Sequence, residues 1–252
     1  MQALVTDAGE IRVKRYEPRR FMPSHRHGFS KVSFMLSGEV RERRGASERF
    51  AEAGWAVVKP ADVLHEDEIG PRGLCTLTLV ADPRTEEARA VWGELVSDYR
   101  WIPIDRCVGR LVRLWYDRIE SAAPVIEEVV LSLVGEIERS CELEHRAAWF
   151  QRALGALSER YFDPPSLVEL ADTVAVHPVT LSKQFRAHGT TKNEFVHRLR
   201  IQNAMRQLAL DESLAWIAAE NGYADSAHFS RSFKHWAGCT PTQFRGRFVA
   251  NG

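Results

Sequence analysis

The sequence lacks the features that mark a secreted, membrane-spanning or disulfide-stabilised protein. Its 252 residues contain no apolar run approaching the roughly 20 residues that span a bilayer. No apolar stretch of the secretory type occurs near the first methionine. The cysteines are few, scattered and without a CxxC pair: Cys75, Cys107, Cys141 and Cys239. We therefore expect a cytoplasmic protein with reduced thiols and no zinc knuckle.

The chain also lacks net charge, since 34 lysines and arginines balance 34 aspartates and glutamates. This balance hides a small asymmetry, because residues 148–252 hold twelve basic and nine acidic side chains. An excess this small does not identify a nucleic-acid partner, so the assignment must come from motifs.

Three zones of the chain differ in their hydrophobic pattern. Residues 1–84 contain short alternating pieces separated by glycine and proline, which predict a small antiparallel barrel or sandwich. Residues 85–145 carry apolar residues at three- and four-residue spacing, which predicts a helical linker. Residues 146–252 read as short helices with brief breaks. We therefore expect an α+β protein with an N-terminal β-barrel, linker helices and an all-α C-terminal domain.

One linker segment has a continuous apolar stripe, formed by Ile126, Val129, Val130, Leu133, Val134 and Ile137. The stripe is typical of a helix that buries one face. It could pack on its own domain or form a dimer contact, and the sequence leaves both interpretations open.

The C-terminal zone contains a helix-turn-helix pattern. Ser166 can cap a helix that buries Leu170 and Ala171, and Leu181 and Phe185, four residues apart, can hold the next helix against it. This spacing places other residues of the second helix on an outer face, where a recognition helix presents its side chains to DNA.

The same pattern recurs about 48 residues later. Ile217 and Ala218 repeat the buried face, Gly222 gives the helix a left-handed end, and Phe229 and Phe233 anchor the next helix. The outward-facing residues of the two units are the candidates for DNA contact: Val179, Thr180, Ser182, Lys183, Arg186, Ser226, Ala227, His228, Arg231 and Lys234.

The stretch from about Tyr161 to Phe248 closely resembles the DNA-binding domain of the AraC/XylS family. The residues that carry the match are Leu170-Ala171, Leu181 and Phe185, Arg200 and Ala204, Ile217-Ala218, Gly222-Tyr223, the run from His228 to Lys234, and Gly238 to Arg245. The resemblance implies that one long helix holds both recognition helices in adjacent major grooves, roughly 34 Å apart.

Among the base-reading positions that this resemblance implies, Lys183 and Arg231 are the only long donors. We expect them to contact guanines, whereas Val179 and Ala227 can meet only thymine methyl groups. Arg245 matches the family pattern but is expected to be a structural charge.

Three of the nine histidines lie in the first half of the chain, at His25, His27 and His65. Their spacing, with Gly38, Gly54 and Pro60, resembles the two short motifs of the cupin fold, a small β-barrel. In metal-binding cupins the first motif supplies two histidines and a glutamate, and the second supplies another histidine. The resemblance implies a divalent ion such as zinc, nickel or iron on these three imidazoles.

Lys31 stands at the position of the expected glutamate, and a cation there repels a metal ion. A carboxylate from Glu66, Asp67 or Glu68 could substitute as a ligand. Alternatively, the barrel holds no metal and its interior binds a small polar or aromatic effector. The residues expected to line such a pocket are Lys31, Phe34 and Trp55, with the histidines.

These features favour a sequence-specific transcription regulator without enzymatic activity that responds to a small molecule or a metal. The expected partners are promoter or operator DNA, the effector, a second copy of the chain and RNA polymerase. Two alternatives stay open: a cupin metalloenzyme fused to a DNA-binding domain, and an architectural DNA binder with a degenerate cupin. The sequence does not identify the effector, the operator or the direction of regulation.

Overall fold

The computed structural model describes residues 2–6, 9–81, 86–103, 107–117, 124–126, 128–133, 148–210 and 212–249. Its first part is an antiparallel sheet with flanking helices, the sheet domain. Its second part is a helical domain with two helix-turn-helix units. The predicted α+β fold class, with an N-terminal sheet domain and an all-α C-terminal domain, is confirmed.

Eight strands form the sheet, in the order β1-β2-β7-β4-β6-β8, with β3 also paired to β7 and β5 to β4. Their bounds are β1 Gln2–Thr6, β2 Gly9–Tyr16, β3 Phe21–His25, β4 Lys31–Arg44, β5 Ser47–Glu52, β6 Trp55–Lys59, β7 His65–Val80 and β8 Arg100–Pro103. The long strands β4 and β7 lie at the centre, so their side chains decide what each face of the sheet presents.

Both faces of the sheet are buried, and side chains alternate between them. On the helix-covered face, Val32 and Phe34 of β4 belong to a core that includes residues of the helices. On the other face, which we call the inner face, Met35 packs with Val57 and Ile69. Within the described residues, the inner-face cluster comes from strands and from Tyr99 beside β8, so the sheet curls over this face.

Strand β8 lies in the segment predicted as a helical linker. It pairs antiparallel with β6, and Trp55 lies opposite Pro103. The sheet therefore continues beyond residue 84, and the prediction that residues 85–145 form only helices is wrong. The error arises because four residues are too few to show a strand periodicity.

The helices of the C-terminal domain follow one another with brief breaks, as the sequence predicts, and two further described helices flank β8. They are α1 Glu86–Leu95, α2 Cys107–Asp117, α3 Ala148–Glu159, α4 Leu167–Thr173, α5 Pro178–Ala187, α6 Lys192–Leu208, α7 Leu214–Glu220, α8 Ser226–Ala237 and α9 Pro241–Phe248. Ser166, Thr191 and Thr240 each form a capping box, which explains why α4, α6 and α9 begin where they do. Among the described helices, none has the length and apolarity to cross a membrane.

The apolar stripe of the linker packs inside its own chain. Residues 124–126 and 128–133 are helical, and Ile126, Val129, Val130 and Leu133 are buried in the same core as the helix-covered face. Val134 and Ile137 lie outside the described residues. The described part of the stripe therefore favours packing on its own chain over a dimer contact.

The two helix-turn-helix units belong to different cores. The first unit packs with α3 and Val196 of α6 in a separate cluster. The second unit, with Ile201 and later residues of α6, shares one continuous core with the sheet domain. The long helix α6 thus begins in one core and ends in the other.

Gly109 marks the tightest approach between α2 and α8. A Cβ atom there would lie 1.8 Å from the carbonyl oxygen of Trp236. We expect Gly109→Ala to force these helices apart and to lower the free energy of unfolding by about 1–3 kcal/mol. Urea denaturation followed by circular dichroism measures this.

The matched control is Gly155→Ala in α3, where a Cβ would meet nothing within 4 Å. Since alanine favours a helix over glycine, this variant should be as stable as the parent or slightly more so. Equal midpoints for the two variants would show that α2 and α8 do not depend on this close approach.

Candidate DNA-binding surfaces and a histidine cluster

The first helix-turn-helix unit is held by buried apolar contacts between α4 and α5. Leu170 and Ala171 of α4 and Leu181 and Phe185 of α5 are each at most 1% exposed. His177 caps α5 by accepting a hydrogen bond from the backbone of Val179. The outer side of α5 is left free of these contacts.

The second unit repeats this construction with larger side chains. Phe229 and Phe233 of α8 are fully buried, and Tyr223 fills the turn. Asp225 caps α8 through the backbone N–H of His228 at 2.6 Å. Gly222 adopts φ +69°, the left-handed helix end that the sequence predicted.

All ten predicted DNA-contacting residues lie away from the two cores. Seven are exposed and charged, polar or small: Thr180, Lys183, Arg186, Ala227, His228, Arg231 and Lys234. Val179 is an exposed apolar side chain, and Ser182 and Ser226 are partly exposed. The structure thus gives each unit a convex outer helix face, and contact with bases stays a prediction.

Two arginines of the family pattern donate hydrogen bonds to backbone carbonyl oxygens of the same domain. Arg200 of α6 donates from Nε to the carbonyl oxygen of Tyr161 at 2.8 Å and from Nη2 to that of Phe162 at 3.1 Å. Arg245 of α9 donates to the carbonyl oxygens of Leu208 and Glu212. These bonds tie α6 to its neighbours and fix the spacing between the units.

The three predicted histidines come together at one end of the sheet. His25 of β3 lies directly opposite His65 of β7 in the strand register. With His27 they place three ring nitrogens within 4.8 Å of one another. The sequence prediction that these imidazoles share one site is therefore consistent with the geometry, and metal binding stays a proposal.

Backbone carbonyls orient two of the three rings. Nδ1 of His25 lies 2.9 Å from the carbonyl oxygen of Pro23, and Nδ1 of His65 lies 2.9 Å from that of Val63. Donation from Nδ1 leaves the lone pair of each Nε2 directed at the cluster, which is the tautomer that binds a metal.

The environment also keeps two of these imidazoles neutral, those of His27 and His65. Burial, followed by the charge of Lys31, lowers the pKa of His27 to about 3. Burial, followed by Lys59, lowers the pKa of His65 to about 4. Both rings are therefore unprotonated at neutral pH, as metal ligands must be.

Charged residues surround the cluster on the inner face. Lys31 lies opposite Lys59 in the strand register, and burial together with Lys59 lowers the pKa of Lys31 to about 7. Lys59 forms a buried ion pair with Glu42. The Oδ2 atom of Asp67 lies 3.7 Å from Nε2 of His65 and 3.9 Å from Nε2 of His25.

The predicted pocket residues divide between the two faces. Trp55 packs against the inner-face cluster. Phe34 is fully buried in the core of the helix-covered face, so the prediction that it lines the interior is wrong. Side-chain alternation along β4 explains this, because Phe34 has the opposite parity to Lys31.

Comparison with known proteins identifies the helical domain. Residues 170–247 match the family model of a helix-turn-helix domain. RhaS, an HTH-type transcriptional activator from Escherichia fergusonii, is 32% identical over 115 residues, which is 45% of this chain and 39% of RhaS.

An uncharacterised HTH-type transcriptional regulator from Staphylococcus aureus strain COL is 39% identical over 83 residues. These residues make up 32% of this chain and 11% of that regulator. The chain thus spans less than half of the curated relatives it matches. ToxT from Vibrio cholerae aligns with 95% of this chain and 98% of its own at 10% identity and a TM-score of 0.42, a value too low to carry an argument.

The Arg200 contacts in the helical domain lead to a prediction about stability. Replacing Arg200 with methionine leaves the carbonyl oxygens of Tyr161 and Phe162 without this donor. We expect unfolding to become easier by about 1–3 kcal/mol, the range for lost hydrogen bonds to a charged group. Thermal denaturation of the full chain measures the change.

Arg160→Met serves as the control, because Arg160 is exposed and pairs only loosely with Asp163 at 3.6 Å. An exposed pair of this kind contributes little, so its loss should be nearly neutral. If the two variants melt alike, Arg200 is not the structural tie described above.

Proposed function

We propose that this chain is a sequence-specific, DNA-binding transcription regulator that responds to a divalent metal ion held by His25, His27 and His65. The observation that carries the proposal is the pair of outward-facing helices, α5 and α8, fixed by a single long helix. The two curated relatives described above support it, since both are named as transcription regulators. No covalent chemistry is part of this proposal.

DNA recognition would use both units on one duplex. Two recognition helices about 34 Å apart meet successive major grooves on the same side of the DNA. Lys183 and Arg231 are exposed on these helices, and each can donate to the O6 and N7 atoms of guanine. A single chain would therefore read two short sites separated by one helical turn.

The sheet domain contacts α6 directly, which supports a link between the two halves. Glu52 at the end of β5 forms an ion pair with Arg206. Nε2 of Gln202 donates to the carbonyl oxygen of Gly54 at 3.2 Å. A change in the curvature of the sheet would therefore act on the helix that spaces the two units.

The histidine cluster fits a metal ion of intermediate softness. Three neutral imidazoles suit zinc, nickel or iron, and carbonyls already orient two of the rings. A bound ion would cross-link β3 and β7, because His25 belongs to β3 and His65 to β7. Such a cross-link gives the sheet domain two states that can favour different DNA affinities.

A homodimer and a contact with RNA polymerase belong to the same proposal as predictions. The described part of the apolar stripe is buried, so a dimer would need another surface. Analytical ultracentrifugation of the full chain with and without DNA tests the dimer.

The DNA-binding proposal predicts a site with two halves. Selection from random double-stranded DNA should yield a motif whose halves lie one turn apart. Lys183→Met should relax one half and Arg231→Met the other, each weakening binding by about 1–3 kcal/mol, or roughly 5- to 150-fold. Arg72→Met, on the surface of the sheet domain, is the control.

Selection that enriches no motif, with binding governed by salt alone, would contradict this proposal and favour an architectural DNA binder. Loss of binding in the Arg72 variant would show that the reading surface lies elsewhere.

The metal proposal predicts close to one ion per chain in protein purified from metal-containing medium. His25→Ala and His65→Ala should each lose most of it, because each removes one of three ligands. His235→Ala, which alters an exposed histidine of α8, should keep it. Elemental analysis by mass spectrometry measures the content, and metal that persists in both ligand variants would exclude this site.

A further inference from the structure

We infer that Asp67 is a fourth ligand of this metal site and supplies the carboxylate that the Lys31 position lacks. The inference rests on the proposed metal function of His25, His27 and His65. Of the three acids that the sequence offered as substitute ligands, Glu66, Asp67 and Glu68, it selects Asp67.

The position of Asp67 follows from strand geometry. His65 and Asp67 are two residues apart in β7, so both side chains lie on the inner face. Asp67 is 7% exposed and His65 is 2% exposed. Its Oδ2 atom lies within 4 Å of Nε2 of both His65 and His25, so a small shift places all three atoms around one ion.

Two buried atoms of this group lack hydrogen-bond partners. They are Nε2 of His65 and Oδ1 of Asp67, each enclosed among the described residues. Lys59 approaches Oδ1 only to 3.8 Å and forms its close pair with Glu42. An unsatisfied buried polar atom costs about 1–3 kcal/mol; a bound cation removes this cost for Nε2 of His65, and for Oδ1 of Asp67 when the carboxylate binds through both oxygens.

The two neighbouring acids point away from the site. Glu66 pairs with Arg43 at 3.9 Å, and Glu68 pairs with Arg41 at 4.0 Å. Both positions have the opposite parity to Asp67 along β7, so both side chains lie on the outer surface of the curled sheet. They are matched controls of the same charge on either side of the proposed ligand.

The positive charge of Lys31 gives the fourth ligand its importance. Three neutral imidazoles bring no negative charge to a divalent ion, and Lys31 repels it. Glu42 forms its close ion pair with Lys59, whereas Asp67 lies 3.8 Å from the same ammonium, so Asp67 is the less engaged of the two carboxylates beside His65 and can offset that repulsion. A site of three imidazoles and one carboxylate suits zinc, iron or nickel.

The test uses the full chain, stripped with a chelator and titrated with Zn²⁺ against a competing chelator. We expect Asp67→Asn to raise the dissociation constant for Zn²⁺ at least about 10-fold. Glu66→Gln and Glu68→Gln should stay within about threefold of the parent. The visible spectrum of the Co²⁺-loaded protein provides a second readout, which should change with Asp67→Asn and not with the controls.

The possible outcomes distinguish failure of the Asp67 inference from failure of the proposed metal function. A parent protein that binds no Zn²⁺ overturns both. Binding that depends on His25 and His65 but is equal in Asp67→Asn and Glu66→Gln overturns the inference alone. Should Asp67→Asn fail to fold, Asp67→Glu retains a carboxylate at a different reach; it should keep Zn²⁺ and shift the Co²⁺ bands, and unshifted bands would overturn the inference.

Discussion

The alternation of side chains along β4 and β7 is the constraint on which the rest of the structure depends. In the first half of β4 one parity places Val32 and Phe34 in the core that joins the sheet to the helical domain, and the other places Lys31 and Met35 on the inner face. The two faces exchange parity at the register shifts around Gly38, so Val40 lies on the inner face, and β7 makes the same exchange between Ile69 and Leu77. Because a shift by one residue exchanges the two faces, this irregularity allows His65 and Asp67 to lie on the inner face while Leu77, of the same parity, lies in the domain junction. Gly38 adopts φ +81° at this register shift.

The two helix-turn-helix units are alike in sequence but unequal in their packing. The first is stabilised by a small cluster of its own, whereas the second shares its core with the sheet domain. The stabilisation from burying apolar area grows with the size of the buried cluster. The first unit, with the smaller cluster, therefore depends more on α6 for its position than the second unit does. Movement of the sheet domain would carry the second unit with it and reach the first through α6 and through the close approach of Gly222 to Phe162. The distance between the reading helices is then the quantity that the sheet domain can change.

Local periodicity was enough to predict much of the fold, and distant pairing decided the rest. The short alternating pieces predicted the strands of residues 1–84. The paired phenylalanines of α8 identify its buried face because contacts four residues apart are local. Strand β8 escaped prediction because its pairing partner lies more than forty residues earlier. The face of Phe34 was also out of reach, and so was the choice among Glu66, Asp67 and Glu68, since alternation defines two sets of residues and only the packed sheet shows which set lies inside.

The charges around the histidine cluster fit a reversible metal site better than a permanent one. A divalent ion entering the site meets Lys31 and Lys59 within the same buried region. Their repulsion weakens binding, whereas Asp67 and the neutral imidazoles strengthen it, so the net affinity is a small difference between large opposing effects. A structural zinc site gains from every added negative ligand and has no use for a lysine at this position. A metal-responsive regulator of the kind proposed would need to release its ion when the concentration falls, and a lysine beside the site, which repels the ion when it is protonated, is one physical means of allowing that release.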